Sequence, residues 1–369
     1  MGVKIYYIVA AAVLVFGILM PQEGPRKKWY IILMALLHSF VCGFRYMYLT
    51  GDLRKYAWGY MNVNTDAISL SSLWNNGRNP LFYALRTLFS VMSDGDFQVF
   101  LLFIAIVTEI FLAILIYRYA PRPWLSYFVW NCLAFYVFGF NAIKQALAMA
   151  VVMWAACAIL ERRPWKYLCI MAIAFLIHAP ALCFLPAYWL TKRTVNAATI
   201  WAAIITAIVI YLLRSPIINL VSPLYYEDET FVMGGSLGLR FYFILGLLAL
   251  GILIKGFEDP SFQIVFHLII VAAILQMFSV FDNVFTRLAD YYFQFSVLYI
   301  PMLFYKNRSV GPETAAGHAA PFALQPRLNS LAVLGTTAML MLYYYQTQLS
   351  VIITNASDNY LNFRFMWEV

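Results

Sequence analysis

Long apolar runs, separated by short polar or basic stretches, fill the chain from end to end. A bilayer-crossing helix needs about 20 mostly apolar residues, fewer beside a protein-lined cavity. Runs near that length fall at Ile5–Met20, Tyr30–Phe44, Gln98–Tyr117, Trp124–Phe140 and Ala142–Leu160, then Thr199–Leu213, Phe241–Ile254, Ile264–Phe281, Tyr292–Tyr305 and Leu331–Tyr345. The pattern predicts an all-α, polytopic transmembrane helical bundle of about 10–12 spans with re-entrant or broken helices. Pro80–Met92 is short and carries Arg86, so an interfacial or re-entrant helix is expected there. Tyr167–Leu190 contains Pro180 and Pro186 and is either one span or a short re-entrant pair of half-helices, the second being preferred.

Composition agrees with that pattern. Of 369 residues, 63% are hydrophobic and 11% charged, against roughly 25% charged in a soluble domain. A compact soluble protein has too little interior for so much apolar side chain, which excludes a soluble enzyme, a disordered chain and a secreted disulfide scaffold. Cys42, Cys132, Cys157, Cys169 and Cys183 lie in or beside apolar runs without metal-ligand spacing, as small buried hydrophobes do. The first apolar run ends at Met20-Pro21-Gln22-Glu23 without a small-residue cleavage site, so a retained first span is expected. The whole chain is taken as one integral membrane domain. Within it lie an extracytoplasmic loop with an interfacial helix at 45–97, a second such loop at 214–239, and a flexible cytoplasmic linker at 307–330.

The net charge of +8 is not a nucleic-acid patch, because the cations punctuate the apolar runs. Basic loops face the cytoplasm. Arg26-Lys27-Lys28, Arg118 with Arg122, Arg162-Arg163 with Lys166, Lys192-Arg193, and Lys306 with Arg308 mark that side and place the N-terminus outside. If Tyr167–Leu190 is a single span, everything after it inverts. In the preferred arrangement Arg45, Asp52, Arg54, Lys55, Lys144, Arg240, Arg287 and Asp290 all fall on the extracytoplasmic side, where orientation gives cations no reason to be.

Three constellations hold those charges. Arg45 is followed by Gly51-Asp52-Leu53-Arg54-Lys55-Tyr56, where a carboxylate beside cations stays ionised and is able to take a hydroxyl proton. Asn141, Lys144 and Gln145 share one helical face at the mouth of a span. Arg287, Asp290 and Tyr291 share another, preceded by Phe281-Asp282-Asn283. Each has a bland alternative: a solvated loop, a snorkelling lysine, and an Arg287–Asp290 pair that staples a helix end.

His178, beside Ala179-Pro180, is a candidate base, whereas His38 and His267 fit satisfied intra-span positions and His318 the linker. Glu109, inside a span, must be neutral, paired or facing a cavity. Asp94-Gly95-Asp96 fits a helix cap better than a cation site, and Glu227-Asp228-Glu229 fits a solvated surface.

These residues together resemble the EpsG family, relatives of the Wzy polysaccharide polymerases. The resemblance rests on Arg45, Gly51-Asp52 and Tyr56, then Asn79-Pro80-Leu81-Phe82-Tyr83 and Lys144-Gln145-Ala146-Leu147-Ala148. It continues with His178 and Ala179–Leu190, and ends with Arg287-Leu288-Ala289-Asp290-Tyr291-Tyr292 and Ile300-Pro301. Lys144 stands where the family usually has an arginine, keeping the charge but not the planar fork.

The resemblance implies a GT-C-like bundle that joins polyprenyl-diphosphate-linked oligosaccharides outside the cytoplasmic membrane, without a metal or other cofactor and with inversion. Donor and acceptor are both lipid-linked, the membrane lipid is a partner, nucleic acid is not, and a flippase and a chain-length regulator are expected companions. Asp52 is the expected base with His178 second. Arg45 and Arg287 would hold the diphosphate, Arg54, Arg240, Lys144, Gln145 and Asp290 would assist, and Tyr291 would bond sugar or phosphate. A lipid-linked-sugar transporter, a ligase or single-sugar transferase using the same donor, and a non-catalytic assembly subunit are the rival readings. The single broken segment and the absence of an internal repeat count against the transporter.

Overall fold

The computed structural model describes residues 4–47, 51–63, 79–216, 237–255, 257, 259–281, 283–305, 334–347 and 363–368. Among these residues all regular structure is helical, apart from an isolated antiparallel bridge between Arg45 and Phe365. The linker at 307–330, most of the loop at 214–239, His318, Asp282 and Glu227-Asp228-Glu229 lie outside the described residues.

Helices Phe97–Tyr119, Ile143–Leu160 and Pro260–Val280 are long and apolar enough to cross a membrane. The first, at 23 residues, is about 34 Å long, close to a bilayer's hydrocarbon thickness. Shorter apolar helices include Lys4–Leu19, Pro80–Met92, Pro164–Ile177, Ala197–Leu212 and Leu239–Leu253.

The chain divides into two compact units. Unit 1 comprises Met1–Leu182 and Ile300–Val369, and unit 2 comprises Cys183–Tyr299. In unit 1 the order is α1 (Lys4–Leu19), α2 (Lys27–Gly43), α3 (Gly51–Met61), α4 (Pro80–Met92), α5 (Phe97–Tyr119), α6 (Pro123–Cys132), α7 (Phe135–Phe138), α8 (Ile143–Leu160) and α9 (Pro164–Ile177). Helix α5 packs against α2 on one side and α8 on another, and α8 against α9. Gly43 admits the close crossing of α2 over Leu102 of α5, and the Gln98 side chain donates to its carbonyl. Asp96 accepts from the Gln98 amide at 2.9 Å, so the Asp94-Gly95-Asp96 stretch is the expected cap.

Charges in unit 1 sort to opposite ends of this helix layer. At the end where α2 begins and α5 and α8 finish, Arg122 pairs with Glu23 at 2.6 Å, while Glu161 pairs with Arg118 at 2.5 Å and Lys166 at 3.0 Å. Burial would raise the Glu161 carboxyl, but Lys166 and Arg118 outweigh it and hold the group below the usual carboxylate range. Arg45, Asp52, Lys144 and His178 belong to the opposite end, where α2 and α9 finish and α8 begins.

Two expected spans are interrupted. Trp124–Phe140 breaks after Cys132, with Ala134 in the left-handed region at φ 61° before the short α7. Asn131 donates back to the Tyr127 carbonyl at 2.8 Å and contacts His38 at 2.9 Å, offering the backbone an alternative to helix there. Tyr292–Tyr305 is likewise two pieces, Asn283–Phe293 and Ser296–Phe304. Pro164–Ile177 stops at His178 and passes into a 3₁₀ turn over Ala179–Phe184, so Tyr167–Leu190 is interrupted after Ile177. Cys42, Cys132 and Cys157 are buried as expected, but Cys169 is exposed.

Unit 2 holds α10 (Ala187–Leu190), α11 (Ala197–Leu212), α12 (Leu239–Leu250), α13 (Pro260–Gln276) and α14 (Asn283–Phe293). Helix α13 packs on α12 and α14. The Tyr292 hydroxyl donates to the Cys183 carbonyl at 2.7 Å, and the Tyr299 hydroxyl to that of Leu247 at 2.9 Å, pinning their segments from within.

Candidate active site

In unit 1 the site is built where three separately coded pieces meet. Helix α3 brings Asp52 and Tyr56, α4 brings Phe82 and Tyr83, and the first turn of α8 brings Lys144. Two hydrogen bonds fasten α3 to α4: Ser90 donates to the Tyr60 carbonyl at 2.7 Å, and the Tyr60 hydroxyl meets Ser93 Oγ at 2.7 Å. The half-buried Lys144 Nζ lies 5.8 Å from the Tyr56 ring centroid, 5.9 Å from Phe82 and 5.7 Å from Tyr83. Such a three-ring cradle attracts an ammonium through the ring faces while leaving its N–H donors available. Among the described residues, Asp52 and Arg86 are the charged groups that act on this ammonium.

Asn79 links His178 to the same assembly. It precedes Pro80 at the start of α4, and its Oδ1 accepts from the Ala179 amide at 2.9 Å. The break after His178 is therefore held against the helix that carries Tyr83. Gln145, next to Lys144, is buried and donates to Met149 Sδ at 3.8 Å, and Arg54 lies exposed on α3.

Arg45 takes a different position from the loop site expected of it. The residue is 1% exposed. Its guanidinium donates to the Cys42 and Gly139 carbonyls and stands 5.4 Å from the Phe140 ring centroid. Tyr46 N donates to Arg364 O at 2.8 Å and Met366 N to Phe44 O at 2.9 Å, which holds residues 363–368 against this corner. Arg45 also lines a cavity of about 30 Å³ with Thr108, Glu109, Trp130 and Tyr136. Glu109 thus faces a cavity, the third of the options its place in a span left open.

Unit 2 carries the remaining candidates. Arg240, at the start of α12, pairs with Asp290 of α14 and lies 4.6 Å from the Phe293 ring centroid. The pair is well enclosed, with 15% and 8% of the side chains exposed. Asp290 thus takes a close partner from 50 residues away, while Arg287, the partner that the bland alternative offered, also acts on its carboxylate. Arg287 is exposed on the same helix and Tyr291 is fully buried. Among the described residues no group of three or more His, Cys, Asp or Glu is placed to hold a metal.

An all-α membrane protein with ionisable side chains placed at the ends of its apolar helices is the class these features define. The family follows: the chain belongs to the EpsG family, whose model matches residues 28–311, most of its length. EpsG is a family of Wzy-like polysaccharide polymerases. No curated protein and no solved structure matches the chain.

Proposed function

We propose that this polysaccharide polymerase joins polyprenyl-diphosphate-linked oligosaccharide repeats on the extracytoplasmic face of a bacterial cytoplasmic membrane, in exopolysaccharide, capsule or O-antigen synthesis. The observation that carries the reading is the Lys144 ammonium cradled by Tyr56, Phe82 and Tyr83 beside Asp52. The opposite end of unit 1 collects Arg118, Arg122 and Lys166. Basic loops mark the cytoplasmic side, so the cradle belongs outside.

In this chemistry the acceptor hydroxyl oxygen forms a bond to the donor's anomeric carbon while the bond from that carbon to the diphosphate oxygen breaks. The leaving diphosphate keeps the electron pair, and the acceptor proton passes to a base. Asp52 takes that proton, with His178 as the second candidate. Fixed cations stabilise the charge growing on the diphosphate, the part a divalent metal plays in other transferases. Lys144 supplies one such cation; for Arg287, exposed on α14, a diphosphate-binding role rests on the family resemblance. Arg45, whose guanidinium is bound to two carbonyls, is assigned to holding the corner beneath the site. Attack opposite the diphosphate inverts the anomeric centre.

The test is Asp52→Asn in purified, normally inserted protein given a synthetic oligosaccharide on a lipid diphosphate. A loss of 100-fold or more in elongation rate is expected for the loss of a general base, whose contribution is on the order of 10²–10⁴. Full-length polymer at the wild-type rate would sink the assignment.

A further inference from the structure

Arg86 sits on α4 one turn after Tyr83. Its guanidinium lies 5.0 Å from the Tyr83 ring centroid, the same ring that lies 5.7 Å from Lys144 Nζ. Two cations thus share one aromatic ring, and they repel one another across it. Among the described residues, Asp52 is the carboxylate that acts on Lys144 there. Arg86 is half-buried, and its buried Nε has no hydrogen-bond partner among the described residues. A structural arginine in such a place normally has its donors satisfied, because a buried polar group without a partner is costly. Among the described residues, two cations held near one carboxylate carry surplus positive charge that a bound anion would neutralise.

The backbone makes room for this guanidinium. Gly59 of α3 faces it, and a Cβ at position 59 would lie 2.9 Å from Arg86 Nη1. Here glycine permits the close approach of the guanidinium to a neighbouring helix.

We propose that Arg86 and Lys144 together form a phosphate-binding site, with Arg86 as a further ligand for the diphosphate of the lipid-linked donor. The inference rests on the polymerase reading for the identity of the donor. The guanidinium offers the planar fork that Lys144 lacks, so the pair unites a forked donor with a point charge on one oxyanion. Tyr83 spaces the two groups by offering a ring to both. Arg86 is a binding residue here, and Gly59 is a positioning residue that acts through it.

The experiment uses full-length protein in nanodiscs, with binding measured for a short polyprenyl diphosphate, for inorganic pyrophosphate, and for anionic phospholipid in the disc. Wild type should bind the polyprenyl diphosphate. Arg86→Gln should weaken that binding by about tenfold or more, the scale of one lost charge-assisted bond, and Arg86→Lys should restore part of it. Gly59→Ala keeps the arginine but pushes the flexible end of its side chain away, at little cost to folding. It should weaken binding severalfold and raise KM more than it lowers kcat. Arg193→Gln, which removes an exposed cation of unit 2, should change nothing.

Pyrophosphate competing with the lipid diphosphate, with both weakened by Arg86→Gln, places the phosphate itself at Arg86. Competition by anionic phospholipid alone would assign the cations to lipid headgroups and overturn the proposal. So would wild-type affinity in both Arg86→Gln and Gly59→Ala, or the absence of diphosphate binding by wild type. Normal polymerisation by those two variants would overturn this inference and leave the polymerase reading standing. Arg86-dependent diphosphate binding without any glycosidic product would do the reverse.

Discussion

Removing Arg240 tests what the enclosed pair of unit 2 is for. Arg240→Gln leaves the Asp290 carboxylate, in a residue 5% exposed, without its close cation. Arg287 still acts on that carboxyl, but from an exposed position on the same helix. Breaking a buried pair from one side costs about 3–5 kcal/mol, and the remaining pull of Arg287 puts this case near 3 kcal/mol, at the lower end of that range. Asp290→Asn should cost a similar amount, because Arg240 then stays part-buried beside Phe293 without a counter-charge. The double variant Arg240→Met with Asp290→Leu should recover most of the loss, since two well-packed apolar chains often replace a buried pair at little or no cost. Equilibrium unfolding of the purified protein in mixed detergent, read over this cycle, gives each value and the coupling between the two residues. Single variants within about 0.5 kcal/mol of wild type would show an exposed-type pair of no structural weight. The reasoning about its burial would then be wrong. Arg287→Gln, an exposed change, should leave stability within about 0.5 kcal/mol.

Two further outcomes probe unit 1. In Gly43→Ala the added Cβ would meet Leu102 Cδ1 at 2.5 Å and its Cα at 3.2 Å; because one of those atoms is backbone, α2 and α5 must move apart, at about 1–3 kcal/mol in the same unfolding assay. Glu161 has a carboxyl lowered from its ordinary value of 4.5 by Lys166 and Arg118 against the pull of burial, so its stabilisation is fully present above that value and is lost as pH falls through the lowered one. The stability gap between wild type and Glu161→Gln should be about 1 kcal/mol or less at pH 7 and should shrink as pH falls below the ordinary value of 4.5; a gap that widens on acidification would contradict the assignment.

The sequence carried the helices well, because apolar runs and their basic punctuation are local signals. It placed the Asp96 cap and the break at His178, where Pro180 follows within two residues. The break at Ala134 was illegible, since alanine is a good helix former and no glycine or proline marks the position. Partners across long separations were equally hidden. Spacing of three residues suggested Arg287 for Asp290, whereas tertiary packing brings Arg240 from 50 residues away. The charge of Arg45 was plain, but nothing local told that two main-chain carbonyls and the residues around Phe365 would enclose it. Arg86 served in the sequence only to argue against a full span at Pro80–Met92. Its spacing of three from Tyr83 was the available signal for a cation laid on that ring.

Purified full-length protein in a lipid bilayer, incubated with one synthetic polyprenyl-diphosphate oligosaccharide and no other enzyme, tests the proposed chemistry most directly. Products resolved by size should form a ladder spaced by whole repeat units, with polyprenyl diphosphate released once per bond formed. A single added unit would mean a transferase of one step. Intact substrate moved across the bilayer with no new glycosidic bond would mean a transporter, and either result would contradict the account.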